Sequence, residues 1–136
     1  MSELFLDAAY AIAISSPRDE CHARAIELAN RIQAEGIPLV TTRAVILEIG
    51  NALSKQRLRP SAIALIEGLQ SDSNVEIVPL TEELFTRAFQ LYQSRPDKEW
   101  GLTDCLSFVV MTERGLTDAL TTDDDFRQAG FRTLLK

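Results

Sequence analysis

Histidine and cysteine are nearly missing from this chain, which holds one histidine, His22, and two cysteines, Cys21 and Cys105. Two cysteines without a Cys-x-x-Cys spacing cannot build a disulfide framework. With a single histidine they also fail to furnish the nitrogen and sulfur ligands of a zinc site. Cysteine usage this sparse fits a reducing cytoplasm. Positive charge is in deficit as well: 14 Lys and Arg face 20 Asp and Glu, for a formal net charge of −6. That balance opposes broad electrostatic attachment to nucleic acid, although it leaves room for a local basic rim. No apolar run reaches the ~18 residues needed to cross a bilayer, so no membrane association is expected. The apolar N-terminus contains Asp7 and has no Lys or Arg before it, so it reads as a strand and not as a signal peptide. Glycine-rich phosphate loops are missing too, whether as GxGxxG or as a P-loop, and no Ser–His–Asp arrangement is legible.

What is present fits one domain spanning residues 1–136, long enough to bury a substantial core. No repeat, low-complexity tract or linker interrupts it. Strands are expected at 3–6, 37–41, 75–79, 118–121 and 131–134 from their short apolar or alternating patterns. Helices are expected at 8–14, 19–35, 43–57, 60–70, 81–94, 104–114 and 123–128, with Gly36 closing the second and Pro60 opening the fourth. Strands alternating with helices imply an α/β fold with a parallel sheet covered on both faces. In such sheets, sites form beyond the carboxyl ends of the strands.

Four acids lie against apolar sequence: Asp7 after LFL, Glu48 within TTRAVILEIGNAL, Asp104 at the head of TDCLSFVVM and Asp123 after ALTT. Carboxylates bordering a core are costly without a partner. Each has a bland explanation. Asp7 can cap the helix that follows it, and Asp104, after a capping Thr103, can favour a helix dipole. Glu48 can pair with an arginine at the edge of the stripe Val45, Ile49, Ala52 and Leu53. Asp123 can open a solvated run with Asp124 and Asp125. Taken together, the four suggest an oxygen-only site, which selects Mg2+ or Mn2+ over zinc. His22 reads as a packing or surface residue. Lys55, Arg57 and Arg59 form the densest positive run, either a solvated helix end or a phosphate-contacting rim.

The segments LFLDAAYAIA, TTRAVILEIGNAL, WGLTDCLSFVVM and ALTTDDDF…AGF resemble, in order, those of the PIN-domain ribonucleases, including the VapC-like toxins of toxin–antitoxin pairs. The resemblance spans nearly the whole chain. It implies a three-layer α/β/α fold and a metal-dependent endoribonuclease whose Mg2+ or Mn2+ is held by Asp7, Glu48, Asp104 and Asp123. Thr121 matches the threonine before the last acid, and Asn51, Ser107 and Asp125 are read as supporting positions. The chain departs from the family in having Ala8 where Thr or Ser is frequent, and Asp125 where His is frequent. The resemblance further implies an RNA substrate, a small antitoxin protein and a homodimer, with surfaces available on the helices from 43 to 70. The alternatives are a non-catalytic PIN-like module binding protein or RNA, and a phosphoacceptor receiver domain. The receiver fits less well, because no paired acid follows the first strand and no lysine closes a late one.

Overall fold

The computed structural model describes residues 2–136. Five strands form one parallel sheet: β1 (Leu4–Leu6), β2 (Leu39–Thr42), β3 (Val75–Val78), β4 (Asp118–Leu120) and β5 (Arg132–Thr133). Their order across the sheet is β3-β2-β1-β4-β5. β1 is the middle strand and entirely buried, which explains why LFL carries no polar alternation. Leu4 and Phe5 register with Leu39 and Val40 on one side, and Phe5 and Leu6 with Ala119 and Leu120 on the other. The chain moves outward from β1 to β3, then crosses back to β4. This makes the gap between β1 and β4 the topological switch point, where sites of open sheets form.

Among the described residues, seven helices cover the sheet: α1 (Ala8–Ser15), α2 (His22–Glu35), α3 (Arg43–Ala52), α4 (Arg59–Ser71), α5 (Glu82–Ser94), α6 (Leu102–Arg114) and α7 (Asp124–Gln128). Right-handed crossovers place α1–α4 on one face and α5–α7 on the other. The packing agrees, with α1 against α2 and α4, and α6 against α5 and α7. Local chemistry sets the helix ends. The Thr42 and Thr81 hydroxyls accept from the amides of Val45 and Leu84 at the starts of α3 and α5. Gly36 and Gly115 close α2 and α6 with φ of 63° and 67°, a left-handed turn that favours glycine. The middle of α6 is apolar almost all round, and Cys105 to Phe108 with Val110 and Met111 are buried. Beneath the switch point, Phe108 meets Trp100 and Phe126 edge-on at 5.0 Å, and Phe126 lies 6.2 Å from Phe5.

Several boundaries differ from expectation. The helix expected at 43–57 stops at Ala52. Residues 53–58 instead form a turn in which the Lys55 carbonyl accepts from the amides of Leu58 and Arg59. Lys55 and Arg57 therefore lie on a helix–helix connection and Arg59 opens α4, so none of them sits on a last helical turn. Ala52 is exposed, not core. The second helix starts at His22, because Asp19 first makes a local turn by accepting from the Cys21 amide. α6 starts at Leu102 with Gly101 as its cap, so Thr103 lies inside the helix. The last strand shortens to Arg132–Thr133. His22 packs as expected, its Nδ1 2.7 Å from the Ala13 carbonyl oxygen.

Candidate active site

Two neighbouring strand ends bring the first acids together. Asp7 directly follows β1, and its amide donates to the Leu120 carbonyl of β4 at 3.3 Å. Thr121, fully buried just after β4, joins them: its hydroxyl donates to Asp7 Oδ2 at 2.7 Å and accepts from the Asp123 amide at 3.0 Å. One hydroxyl thus fixes both strand-end acids. Asp7 stands at the start of α1, but its carboxylate makes no capping hydrogen bond there. Asp123 does cap α7, its Oδ1 accepting from the Asp125 amide at 2.9 Å. That turn folds Asp125 back toward the strand end.

Asp104 enters from α6 as its third residue, where Oδ2 accepts a long 3.4 Å bond from the Gly101 amide. One carboxylate oxygen each from Asp104, Asp123 and Asp125 lie within 4.8 Å of one another. Asp125, read from sequence as a supporting position, therefore stands level with the principal acids. The clue available in sequence is the capping geometry of Asp123, which brings the residue two positions on beside it. Glu48 reaches the group from α3, half-buried and under the repulsion of Asp7 and Asp123.

The remaining supporting positions separate. Ser107 is buried one turn beyond Asp104, but its hydroxyl donates to the Thr103 carbonyl of its own helix at 3.2 Å. Asn51 lies exposed on α3, one turn past Glu48. Asp124 faces solvent, 3.4 Å from Arg127.

Electrostatics mark the cluster as unfinished. Burial first, and the neighbouring Asp123 charge after it, push the Asp7 carboxyl up despite the Thr121 hydrogen bond. Burial raises Glu48 as well, followed by the charges of Asp7 and Asp123. Asp104 is pushed up to about 7 by burial, then by the charges of Asp123 and Asp7, and by the Asp125 carboxyl beside it. Another acid shows what a partner does. Asp118 is nearly buried too, yet Arg132 grips both of its oxygens at 2.8 and 2.7 Å and holds it below the usual carboxylate range. Among the described residues, no Lys, Arg or His forms an ion pair with Asp7, Glu48, Asp104 or Asp123. A set of converging carboxylates with only oxygen donors and no protein cation fits a hard divalent ion.

A parallel α/β/α fold with acids converging at its switch point defines a class, and the sequence agrees. Residues 4–132 match the PIN domain, and the chain belongs to that family. Among its relatives is the 23S rRNA-specific endonuclease VapC20 of Mycobacterium tuberculosis. In two strains that protein is 26% identical over 128 residues, covering 94% of this chain and 95% of the relative. The crystal structure of M. tuberculosis VapC20, described as a Sarcin-Ricin loop cleaving toxin, superposes with a TM-score of 0.81 at 25% identity over 94% of this chain and 95% of that one. VapBC2 from Rickettsia felis, solved bound to a promoter DNA fragment, shares the fold at a TM-score of 0.67 and 13% identity, with 96% of each chain covered.

Proposed function

We propose that this chain is a Mg2+- or Mn2+-dependent endoribonuclease, the toxin of a toxin–antitoxin pair, and that it hydrolyses RNA phosphodiester bonds at the acid cluster. The observation that carries this reading is the meeting of Asp104, Asp123 and Asp125, whose carboxylate oxygens lie within 4.8 Å of one another, with the charges of Asp7 and Glu48 acting beside them and no basic partner among the described residues. Asp7, Asp104 and Asp123 would hold the cation, with Glu48 and Asp125 at its border. A divalent ion there supplies positive charge against a scissile phosphate and acidity to water.

The protein's own residues set up that chemistry. Thr121 locks the orientation of Asp7 and the backbone of Asp123, so two ligands are preorganised by one buried hydroxyl. Asp104, raised to about 7, holds a proton at acid pH that it must release before a cation binds fully. Glu48, raised and half-exposed, can accept a proton near the reacting phosphate.

The toxin reading brings a small antitoxin protein, a homodimer and a cytoplasmic setting as further parts of the proposal. Among the described residues, no helix is long and apolar enough to cross a membrane. Most apolar side chains of α3 are core, but Leu47 and Ile63 stand 57% and 52% exposed on α3 and α4. A second apolar row, Phe85, Phe89 and Tyr92, runs along α5 with its rings stacked. These two surfaces are the natural places for protein partners.

The test is cleavage of a panel of ribosomal, transfer and messenger RNAs by purified protein with Mn2+ or Mg2+, and again with EDTA. Metal-dependent cutting that Asp7→Asn and Asp123→Asn abolish is expected. A wild-type protein that is folded, metal-loaded and inert toward every RNA would return the chain to the class of binding modules.

A further inference from the structure

The chain's one tryptophan, Trp100, lies in the loop between α5 and α6 and is buried, although every residue before it from Arg95 to Glu99 is polar or proline. Three contacts hold it. Its ring meets Phe108 edge-on at 5.0 Å, and its indole N–H donates to Gln128 Oε1 at 3.3 Å. The Arg95 guanidinium lies 5.2 Å from the ring centroid and is fixed in turn by two 3.0 Å bonds to Asp97. Beside this ring opens a hollow of about 470 Å³, lined further by Phe89, Tyr92, Gln93, Lys98, Glu99 and Cys105. That volume falls within the roughly 300–1,000 Å³ of small-molecule sites.

The lining joins flat rings to unengaged polar groups. Tyr92 and Phe89 are 46% and 40% exposed, and their rings stack on each other at 6.3 Å and 15°. The side chains of Gln93 and Glu99 make no hydrogen bond or ion pair among the described residues, and half-buried Lys98 makes no ion pair there. Aromatic faces with free edge groups suit an unpaired nucleobase, whose face stacks and whose edge hydrogen-bonds.

The hollow adjoins the acid cluster through the chain itself. Its wall includes Glu99, Trp100 and Cys105, and Asp104 lies within that same segment, one residue before Cys105. Successive residues of a helix point about 100° apart, so α6 turns Asp104 to the cluster and Cys105 to the hollow from adjacent faces. The Gly101 amide, directly after Trp100, donates to Asp104 Oδ2 at 3.4 Å. Trp100 also reaches Gln128 of α7, the helix that carries Asp125, and the charge of Glu99 acts on Asp125.

We propose that this hollow takes an unpaired nucleobase of the RNA strand beside the cut bond, stacked on the rings of Tyr92 and Phe89, with Gln93 and Glu99 at its hydrogen-bonding edge and Lys98 at the adjoining phosphate. This rests on the nuclease reading above. Stacking supplies affinity that does not depend on charge, which a protein of net charge −6 with an acidic site needs.

Trp100 is the only tryptophan, so its fluorescence reports on the hollow. The full chain is titrated in EDTA, where no cation supports cutting, with tetramers of A, C, G or U and with an abasic ribose–phosphate tetramer of the same charge. At least one base-bearing tetramer should quench Trp100 saturably, and the abasic one should bind at least about 5-fold more weakly. Tyr92→Ala should weaken the base-bearing tetramer by about 5-fold or more, while Tyr92→Phe, which keeps the ring, matches wild type. Phe85→Ala, on the same helix but outside the hollow, should also match wild type. Lys98→Gln should lower the slope of log affinity against log salt by about 0.7. Melting curves confirm that the variants fold. A silent Trp100, an abasic tetramer that binds equally well, or equal losses in Tyr92→Ala and Phe85→Ala overturns the base site. A Tyr92→Ala variant that binds RNA as wild type does but changes its oligomeric state overturns it too, and assigns the ring to a protein contact. Cleavage with Mn2+, measured separately, decides the nuclease reading: an inert wild type that still shows base-dependent quenching overturns that reading alone, whereas a cleaving wild type with a silent Trp100 overturns only the base site.

Discussion

At the scale of single residues, the site turns on carboxylates whose neighbours are more carboxylates. Asp7, Glu48 and Asp104 are all raised above the ordinary range, Asp104 to about 7 from 3.8. The folded protein then holds more protons than the unfolded chain between about pH 4 and pH 7, so its stability falls as pH rises through that window. Melting temperatures of metal-free protein should decline across it, and saturating Mn2+ should flatten or reverse the decline by binding the deprotonated site. A metal-free melting temperature that climbs over the same range contradicts the assignment. Asp104→Asn should raise the metal-free melting temperature at pH 8 and lose most of the Mn2+-induced shift; a shift equal to wild type would remove Asp104 as a ligand. Thr121→Val strands Asp7 Oδ2 and the Asp123 amide without a partner, at a cost of about 1–3 kcal/mol in denaturant unfolding, and Thr121→Ser should restore both stability and cleavage.

At the scale of elements, the strand ends are the legible part. LFLD and ALTTD each announce an acid at or just past a buried strand end, Asp7 directly after β1 and Asp123 beyond Thr121 and Thr122, and a parallel sheet carries both to one edge. Asp104 is legible as a helix-start acid entering from a buried helix, but its cap is not. Thr103 is a better capping type than Gly101, and only the extended backbone at Gly101 decides the matter. The end of α3 is equally hidden. Ser54, Lys55, Gln56 and Arg57 include no helix breaker, and the turn is held by Arg59 reaching back five residues to the Ser54 carbonyl. Asp125 is legible only as a supporting position, because a short helix, not a periodic pattern, turns it toward Asp104. Since α3 delivers Glu48, its cap matters: Thr42→Ala should cost about 1 kcal/mol, read by urea unfolding. Equal stability in the two proteins would show that packing of α3 against α1 and α4 fixes the helix without its cap.

At the scale of the whole molecule, the sheet serves to hold acids that repel one another. A buried core of LFL, Val40, Ala119 and Leu120, braced by Phe108 and Phe126, keeps the strand ends in place against that repulsion. Composition speaks against zinc, disulfides and a membrane-spanning helix. The ordered segments point to the family, and the structure adds the shared Thr121 and the place of Asp125. The most direct test of the central claim is the single-turnover rate of ribosomal RNA cleavage as a function of Mn2+ concentration, for wild type and Asp104→Asn side by side. The expected result is a rate that rises from nothing to a plateau with Mn2+ in wild type, and a plateau about 100-fold lower or less in the variant. Cleavage that ignores Mn2+, or a variant as fast as wild type at every concentration, would contradict it.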